Sequence, residues 1–310
     1  MKAIIVLILL GWAYNGSSQA KKDTVKVGIY IENIYDFNFT AESFKCDYWL
    51  WCNSRNHALI GQMPKMIEVI RSKGTSVELE DTSSYGDTFS YERKEKAELL
   101  HKWNIKHFPF DKQRIEIETE IYAADTSQLY VALDSARSNI DKEGFPGEWK
   151  IKESEFHRHV VGYNTNFGDP STKSEKYYSI VYSCELKRNV FGLFIKLFAG
   201  VFIAFCIAMS SLFISSRHSD PRFGLPVGAL FAGIANKYVV DTIIPQTTYL
   251  TLVDKIHFLT FSMILLMIVL SIISQRKYFG GREKASHNLD RITFWSILTI
   301  YLVTILCWIM

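Results

Sequence analysis

Hydrophobic and polar residues follow two different patterns along this chain of 310 residues. Up to Arg188, apolar and charged residues are mixed in short segments, several of which alternate. From Phe191 onward, long apolar runs are separated by brief polar stretches. Alternation is typical of half-buried strands, and apolar runs of about 20 residues are typical of membrane-spanning helices. The pattern predicts a β-rich outer domain over residues 21–188 and a transmembrane domain over residues 189–310.

The first part contains short segments rich in β-branched and aromatic residues. Clusters of turn-forming residues separate them, such as those at 82–87 and 166–171. Short strands divided by turns are the pattern of a β-sandwich. The predicted strands are Val25–Ile31, Phe44–Trp51, Ile115–Ile121, Leu129–Leu133, Trp149–Phe156 and Tyr177–Leu186.

The second part contains four apolar segments long enough to cross a hydrocarbon core of about 30 Å. The predicted helices cover about residues 191–214, 223–244, 252–274 and 292–310. The second is the least apolar, because it carries glycines, Pro226 and the polar residues Asn236, Lys237 and Asp241. Polar groups at membrane depth normally face protein or a water-filled cavity. This helix is therefore the candidate pore lining.

The amino terminus and the loop charges predict location and orientation. Residues 1–20 are interpreted as a signal peptide, because Lys2 precedes an apolar core that ends near Tyr14, before small residues suited to cleavage. Basic residues are concentrated between the first and second helices and between the third and fourth. Such loops remain cytoplasmic. We expect a multi-pass protein of the cell membrane with its amino-terminal domain and carboxyl terminus outside the cytoplasm.

Composition and motifs argue against other classes of function. A net charge of +3 without a basic stripe gives no support for nucleic-acid binding. The sequence has no nucleophile elbow, Gly-rich phosphate loop or metalloprotease spacing of histidines. We therefore expect neither an enzyme nor a cofactor or metal site. No disulfide is assigned among Cys46, Cys52 and Cys184.

One segment carries a resemblance to a known family. Trp103–Gln113, WNIKHFPFDKQ, resembles the loop that names the Cys-loop receptors, the pentameric ligand-gated ion channels. His101 and Ile115 stand where the flanking cysteines would fall, as in prokaryotic members, so packing alone is expected to hold the loop. Further similar segments occur in the family's order: Trp51–Arg55, Gly147–Trp149, Arg188, Asp220–Leu225 and Ile244–Asp254.

The resemblance implies a homopentamer in a lipid bilayer. A small-molecule agonist, or protons, would act between neighbouring outer domains and open a pore lined by the second transmembrane helix to permeant ions. The chain departs from the family between Arg55 and Met63, where it is shorter and a strand is expected to be missing. A non-conducting receptor of the same architecture is the alternative, favoured by Pro226 and the bulky Phe231 in the pore helix.

The resemblance also implies three groups of site residues. Tyr122, Tyr163 and Tyr177 match aromatic ligand-binding positions, with the last two on a hairpin between Phe156 and Tyr182. Tyrosines can hold an organic cation or an aromatic ligand, although half-buried strand tyrosines are equally expected. The gating interface would comprise Phe108, Pro109, Phe110, Asp111, Arg188, Pro245 and Tyr249.

For the pore, the resemblance aligns one face of the second helix with the channel axis. Phe231 would form a hydrophobic constriction at mid-pore. At the cytoplasmic mouth, Asp220 favours cations, whereas Arg222 carries the opposite charge. We expect slight preference for cations. The predicted pore-lining residues are Asp220, Gly224, Gly228, Phe231, Ala235, Tyr238 and Thr242.

Overall fold

The computed structural model describes residues 22–122, 124–143, 147–165, 176–245 and 247–309. Within them, a sandwich of two β-sheets is followed by four long helices. This confirms the predicted fold class, an amino-terminal β-sandwich joined to an all-α domain of four helices. The predicted signal peptide and the turn cluster at 166–171 lie outside the described residues.

A six-stranded sheet forms one layer of the sandwich. Its strands are β1 (Asp23–Asn38), β2 (Ser43–Ser54), β4 (Ser72–Tyr85), β5 (Thr88–Leu100), β7 (Leu129–Leu133) and β8 (Asn139–Ile140). The order is β4-β5-β2-β1-β7, and β8 pairs with β1. Alternate residues of β2 are fully buried, which directs one face of the sheet into the core.

A four-stranded antiparallel sheet forms the other layer. Its strands are β3 (Ile67–Val69), β6 (Lys112–Ile121), β9 (Trp149–Gly162) and β10 (Lys176–Arg188), in the order β3-β6-β10-β9. The predicted hairpin is present, since Phe156 on β9 pairs with Tyr182 on β10. All six predicted strands occur, most of them with longer bounds than the sequence indicated.

The segment between Arg55 and the loop Trp103–Gln113, called here the base loop, contains elements that were not predicted. A short helix, α1 (His57–Gln62), follows Arg55, and the Asn56 side chain caps it by accepting from two backbone amides. The strands β4 and β5 were not predicted, and they form a long hairpin. The predicted turn at 82–87 is therefore shorter, because β4 continues to Tyr85 and the chain reverses at Gly86, whose φ is +59°.

The cysteines of the sandwich are free thiols. Cys46, Cys52 and Cys184 are all buried in the sandwich. Burial raises the pKa of Cys52 and of Cys184 to about 12, so both thiols stay protonated at neutral pH. They behave as small core residues.

Four helices of the second part are long and apolar enough to cross a membrane. They are α2 (Phe191–Ser210), α3 (Ser219–Asp241), α4 (Leu252–Phe279) and α5 (Glu283–Ile309). A 3₁₀ turn, Ser211–Phe213, extends α2. The buried residues of each helix pack between the four, and α3 buries only a narrow face.

The observed helix bounds correct the predicted ones. Helix α3 begins at Ser219 rather than 223, because Pro221 fits the first helical turn, where its missing N–H costs no hydrogen bond. Helix α4 continues to Phe279, and α5 begins at Glu283 rather than 292. The predicted bounds followed the apolar residues, which mark only the part of a helix suited to hydrocarbon. Both helices continue beyond their apolar runs into polar sequence.

Candidate functional site

The predicted pore-lining residues lie on the face of α3 that the rest of the chain leaves open. Helix α3 packs its opposite face, including Pro226, Ala229 and Val240, against its neighbours. Phe231 is 69% exposed and Tyr238 is 74% exposed. The remaining predicted positions are also exposed: Asp220, Gly224, Gly228, Ala235 and Thr242. The structure therefore brings all seven residues onto one free surface.

At the amino-terminal end of α3, two residues of opposite charge lie in different environments. Asp220 is exposed, whereas the side chain of Arg222 is fully buried. Arg222 donates hydrogen bonds to both carboxylate oxygens of Asp290 on α5, at 2.5 and 3.1 Å. It also donates to the Ile214 carbonyl at 2.6 Å. The sequence did not reveal this partner of Arg222, because Asp290 lies just before the apolar run of the fourth predicted helix.

Serine hydroxyl groups form further hydrogen bonds close to Arg222 and Asp290. The Ser216 and Ser274 hydroxyls lie 2.9 and 2.7 Å from the hydroxyl of Ser286, and all three residues are buried. Gln275 donates to the Ser219 hydroxyl at 2.5 Å. These bonds connect the start of α3 with the end of α4 and the beginning of α5. Polar contacts thus hold together the adjoining ends of α3, α4 and α5.

The carboxyl-terminal half of α3 carries a second set of polar contacts. The Lys237 ammonium pairs with Asp241 on its own helix and with Asp254 on α4, the latter at 2.8 Å. Asn236 lies 3.1 Å from His257 Nε2, and His257 Nδ1 donates to the Val253 carbonyl at 2.8 Å. These contacts fix the carboxyl-terminal half of α3 to α4.

At the base of the sandwich, the predicted charges of Asp111 and Arg188 are in contact. Arg188 Nε donates to Asp111 Oδ1 at 3.1 Å, and only 4% and 1% of the two side chains is exposed. The guanidinium also lies 4.0 Å from the ring centre of Trp149 and 5.0 Å from those of Phe39 and Phe108. This ion pair is buried in an aromatic cage.

Hydrogen bonds as well as packing hold the base loop, which differs from the expectation that packing alone would do so. The Gln113 side chain accepts from the Asn104 amide at 3.1 Å and donates to the Asn104 carbonyl at 2.9 Å. It also donates to Asp111 Oδ2 at 2.7 Å. One side-chain amide can satisfy a backbone donor and acceptor together. Gln113 therefore closes the loop without a disulfide.

The base loop contacts the transmembrane helices directly. The Leu252 amide at the start of α4 donates to the Lys106 carbonyl at 2.9 Å. The ring of Phe110 lies 5.7 Å from that of Phe194 on α2. The base loop thus contacts α2 and the start of α4. The predicted gating residues Pro245 and Tyr249 lie in the loop that leads into α4. Tyr249 is 41% exposed, and the Phe108–Pro109 peptide bond is cis.

Two of the three predicted ligand-binding tyrosines meet at the hairpin. The rings of Tyr163 and Tyr177 lie 6.2 Å apart. Tyr122 follows the end of β6, next to the same region, and is 43% exposed. The Tyr163 hydroxyl donates to Glu120 Oε2 at 2.9 Å. The sequence analysis missed Glu120. On β6 it alternates with the core isoleucines, so its side chain lies on the opposite face of the strand, where it meets the Tyr163 hydroxyl.

Glu120 and Tyr163 both have raised pKa values. Burial raises the pKa of Glu120 above its ordinary value, and the hydrogen bond from Tyr163 only partly opposes the effect. Burial and the hydrogen bond to Glu120 raise the pKa of Tyr163 to about 12. The site therefore contains a carboxyl group that takes up a proton more readily than a surface glutamate.

Comparison with known proteins adds to this description. No family model matches the sequence. The chain is 22% identical over 256 residues to a protein of Gloeobacter violaceus, a match that covers 77% of this chain and 69% of the relative. That relative is a proton-gated ion channel. A match of this length includes residues from both the sandwich and the helices.

The two parts of the chain follow each other almost without a linker. A sandwich ending at Arg188 and a first membrane helix beginning at Phe191 leave only a two-residue link between the two parts. Movement of β10 would therefore act directly on α2. The described residues thus combine a β-domain, a direct link and a helix with a free face.

Proposed function

We propose that this chain is one subunit of a pentameric ligand-gated ion channel in the cell membrane. The observation that carries the proposal is the free face of α3, which includes Asp220, two glycines, Phe231 and Tyr238. At membrane depth, polar groups need protein or water against them. Identical subunits arranged around a closed axis provide both for every copy of this face.

Phe231 is proposed as the closed constriction of the pore. It lies near the middle of α3, and its ring extends away from the other helices of the subunit. A ring of phenylalanines can exclude water and so prevent ions from passing. Opening would require α3 to move outward or rotate, which would carry the rings away from the axis.

The coupling path is proposed to run from the sandwich to the helices through the base loop. Asp111 fixes Arg188 at the end of β10, while Phe110 and Lys106 contact α2 and α4. Buried charge pairs at an interface give larger energies than exposed pairs. Displacement of β10 or the loop would thus reach both helices. The loop with Pro245 and Tyr249 would follow, because it joins α3 to α4.

Protons, or a small organic cation, are the proposed trigger. The similar protein from Gloeobacter violaceus is proton-gated. In this chain, the elevated pKa of Glu120 supports a proton-sensitive site beside Tyr163 and Tyr177. The amino-terminal domain would lie outside the cytoplasm, because the basic loops precede α3 and α5 at their cytoplasmic ends. External acidification would then reach Glu120.

The test is ion flux into liposomes that contain the purified full chain. Cation and anion gradients are imposed separately across a pH series, with a panel of small amines added at each pH. The wild type should pass ions under at least one condition, and Phe231→Ala should raise the flux at rest by removing the constriction. Phe213→Ala is the matched control, since Phe213 is similarly exposed but lies in the 3₁₀ turn that follows α2.

A non-conducting receptor of the same architecture is the second candidate. It is favoured by the two bulky rings of Phe231 and Tyr238, which lie about 10 Å apart along the exposed face at the usual helical rise. Two successive aromatic rings could keep a pore closed in every state. Silence of both wild type and Phe231→Ala in a preparation shown to be pentameric would favour this candidate over the channel.

A further inference from the structure

Asp290 lies far along the chain from the candidate pore helix. Its position nevertheless allows it to control charge at the cytoplasmic mouth. It contacts Arg222 through both carboxylate oxygens and lies on α5, behind α3. Arg222 is two residues from Asp220, and two residues correspond to roughly 200° around a helix. Asp220 is accordingly exposed while Arg222 is buried.

The positive charge of Arg222 cannot be lost by release of a proton. Guanidinium remains protonated in proteins, so a neighbouring anion must balance it. Asp290 is the carboxylate that does so among the described residues, and the Ile214 carbonyl accepts a further hydrogen bond. Together, Arg222 and Asp290 form a neutral unit. Of the two charged residues at the start of α3, Asp220 is then the one whose charge is exposed.

We infer that Asp290 is a positioning residue for ion selectivity, which acts by neutralising Arg222 and holding it behind the pore wall. This inference rests on the proposed channel function. Without the Asp290 charge, each subunit would carry an unbalanced positive charge beside the mouth, whether or not Arg222 moved. If the long side chain did move, it would turn toward water and come closer to the ion path. Both effects oppose cations.

The test is the reversal potential of the full-length channel in asymmetric sodium chloride, under conditions in which the wild type conducts. The wild type should favour sodium. In Asp290→Asn, the ratio of sodium to chloride permeability should fall by about tenfold or more, the scale expected for several added unit charges near an ion in water. The double variant Arg222→Gln/Asp290→Asn, which restores neutrality, should return the reversal potential to the wild-type value.

Ser274→Ala is the matched control for disturbance of the region without a change of charge. Ser274 belongs to the neighbouring hydroxyl contacts, and its loss should leave the reversal potential unchanged. If Asp290→Asn alone does not assemble, co-expression with wild-type subunits should give a shift that grows with the fraction of variant.

The outcomes separate this inference from the proposed function. A wild type that passes no ions would overturn the channel function and, with it, the role of Asp290. A conducting wild type with an unchanged reversal potential in Asp290→Asn would overturn the inference alone. So would a double variant that shifts as far as the single one, because neutrality would then be irrelevant.

Discussion

Asp111→Asn tests the buried ion pair at the base of the sandwich. The substitution keeps the shape of the side chain and removes its charge, which leaves Arg188 charged and buried. Loss of one partner of a buried pair typically costs about 3–5 kcal/mol. The aromatic cage remains in the variant, so the cation–π energy of about 2 kcal/mol between a desolvated cation and a tryptophan ring is kept. Because the cage cannot replace the lost anion, we expect the free energy of unfolding to fall by about 3 kcal/mol.

The measurement is denaturant unfolding of the full chain in detergent, followed by tryptophan fluorescence. Trp149 reports on the cage directly, since Arg188 lies 4.0 Å from the centre of its ring. Arg188→Met and the double variant Asp111→Asn/Arg188→Met complete a double-mutant cycle. The double variant should be less destabilised than the sum of the two single variants, because it leaves neither charge unpaired.

The same substitution should affect gating. Asp111→Asn subunits should reach the membrane but respond weakly to the trigger, because the end of β10 is no longer fixed to the base loop. Surface labelling and flux measure the two properties separately. A variant within about 0.5 kcal/mol of wild type, the range of ordinary surface substitutions, would refute the reasoning, as would an additive cycle or unchanged flux.

Two further predictions concern Glu120 and Gly200. Burial raises the pKa of Glu120, so its contribution to stability is present below the unfolded value of about 4.3 and is lost as the pH rises through the folded value. In the wild type, the free energy of unfolding should therefore fall as the pH rises above about 4.3. Glu120→Gln should make this fall smaller, whereas Glu153→Gln, at an exposed position, should leave it unchanged. In Gly200→Ala, the new Cβ would lie 2.7 Å from Asn236 Nδ2, which should lower thermal stability, whereas Gly192→Ala, with open space, should not.

The sequence revealed those strands in which buried side chains impose alternation. Residues 44–51 are an example, because β2 lies between two other strands and buries one side of its sheet. The β4–β5 hairpin escaped prediction, because β4 is an exposed edge strand rich in serine and glutamate. Its pairing depends on the register with β5 rather than on burial, and local sequence does not specify that register.

The candidate site was predictable where position along one helix was sufficient. Helical periodicity, together with the family resemblance, grouped Gly224, Phe231 and Tyr238 on one face, and this face is free in the structure. Contacts between distant segments were not predictable. Arg222 was expected at the mouth, but its charge is buried against Asp290, 68 residues away. Only the packing of α3 against α5 shows that these two charges meet.

Reactivity of single cysteines along α3 tests the central claim most directly. Cys206 and Cys307 are exposed, so both are first replaced by serine. Cysteines are then placed one at a time at Ala235 on the free face and at Ala229 on the buried face, and a charged, water-soluble thiol reagent is applied during flux. A water-filled pore predicts that the reagent blocks flux through Ala235→Cys and leaves Ala229→Cys unaffected. Equal reactivity at both positions, or none at Ala235→Cys in a conducting protein, would contradict the proposal that this face lines the pore.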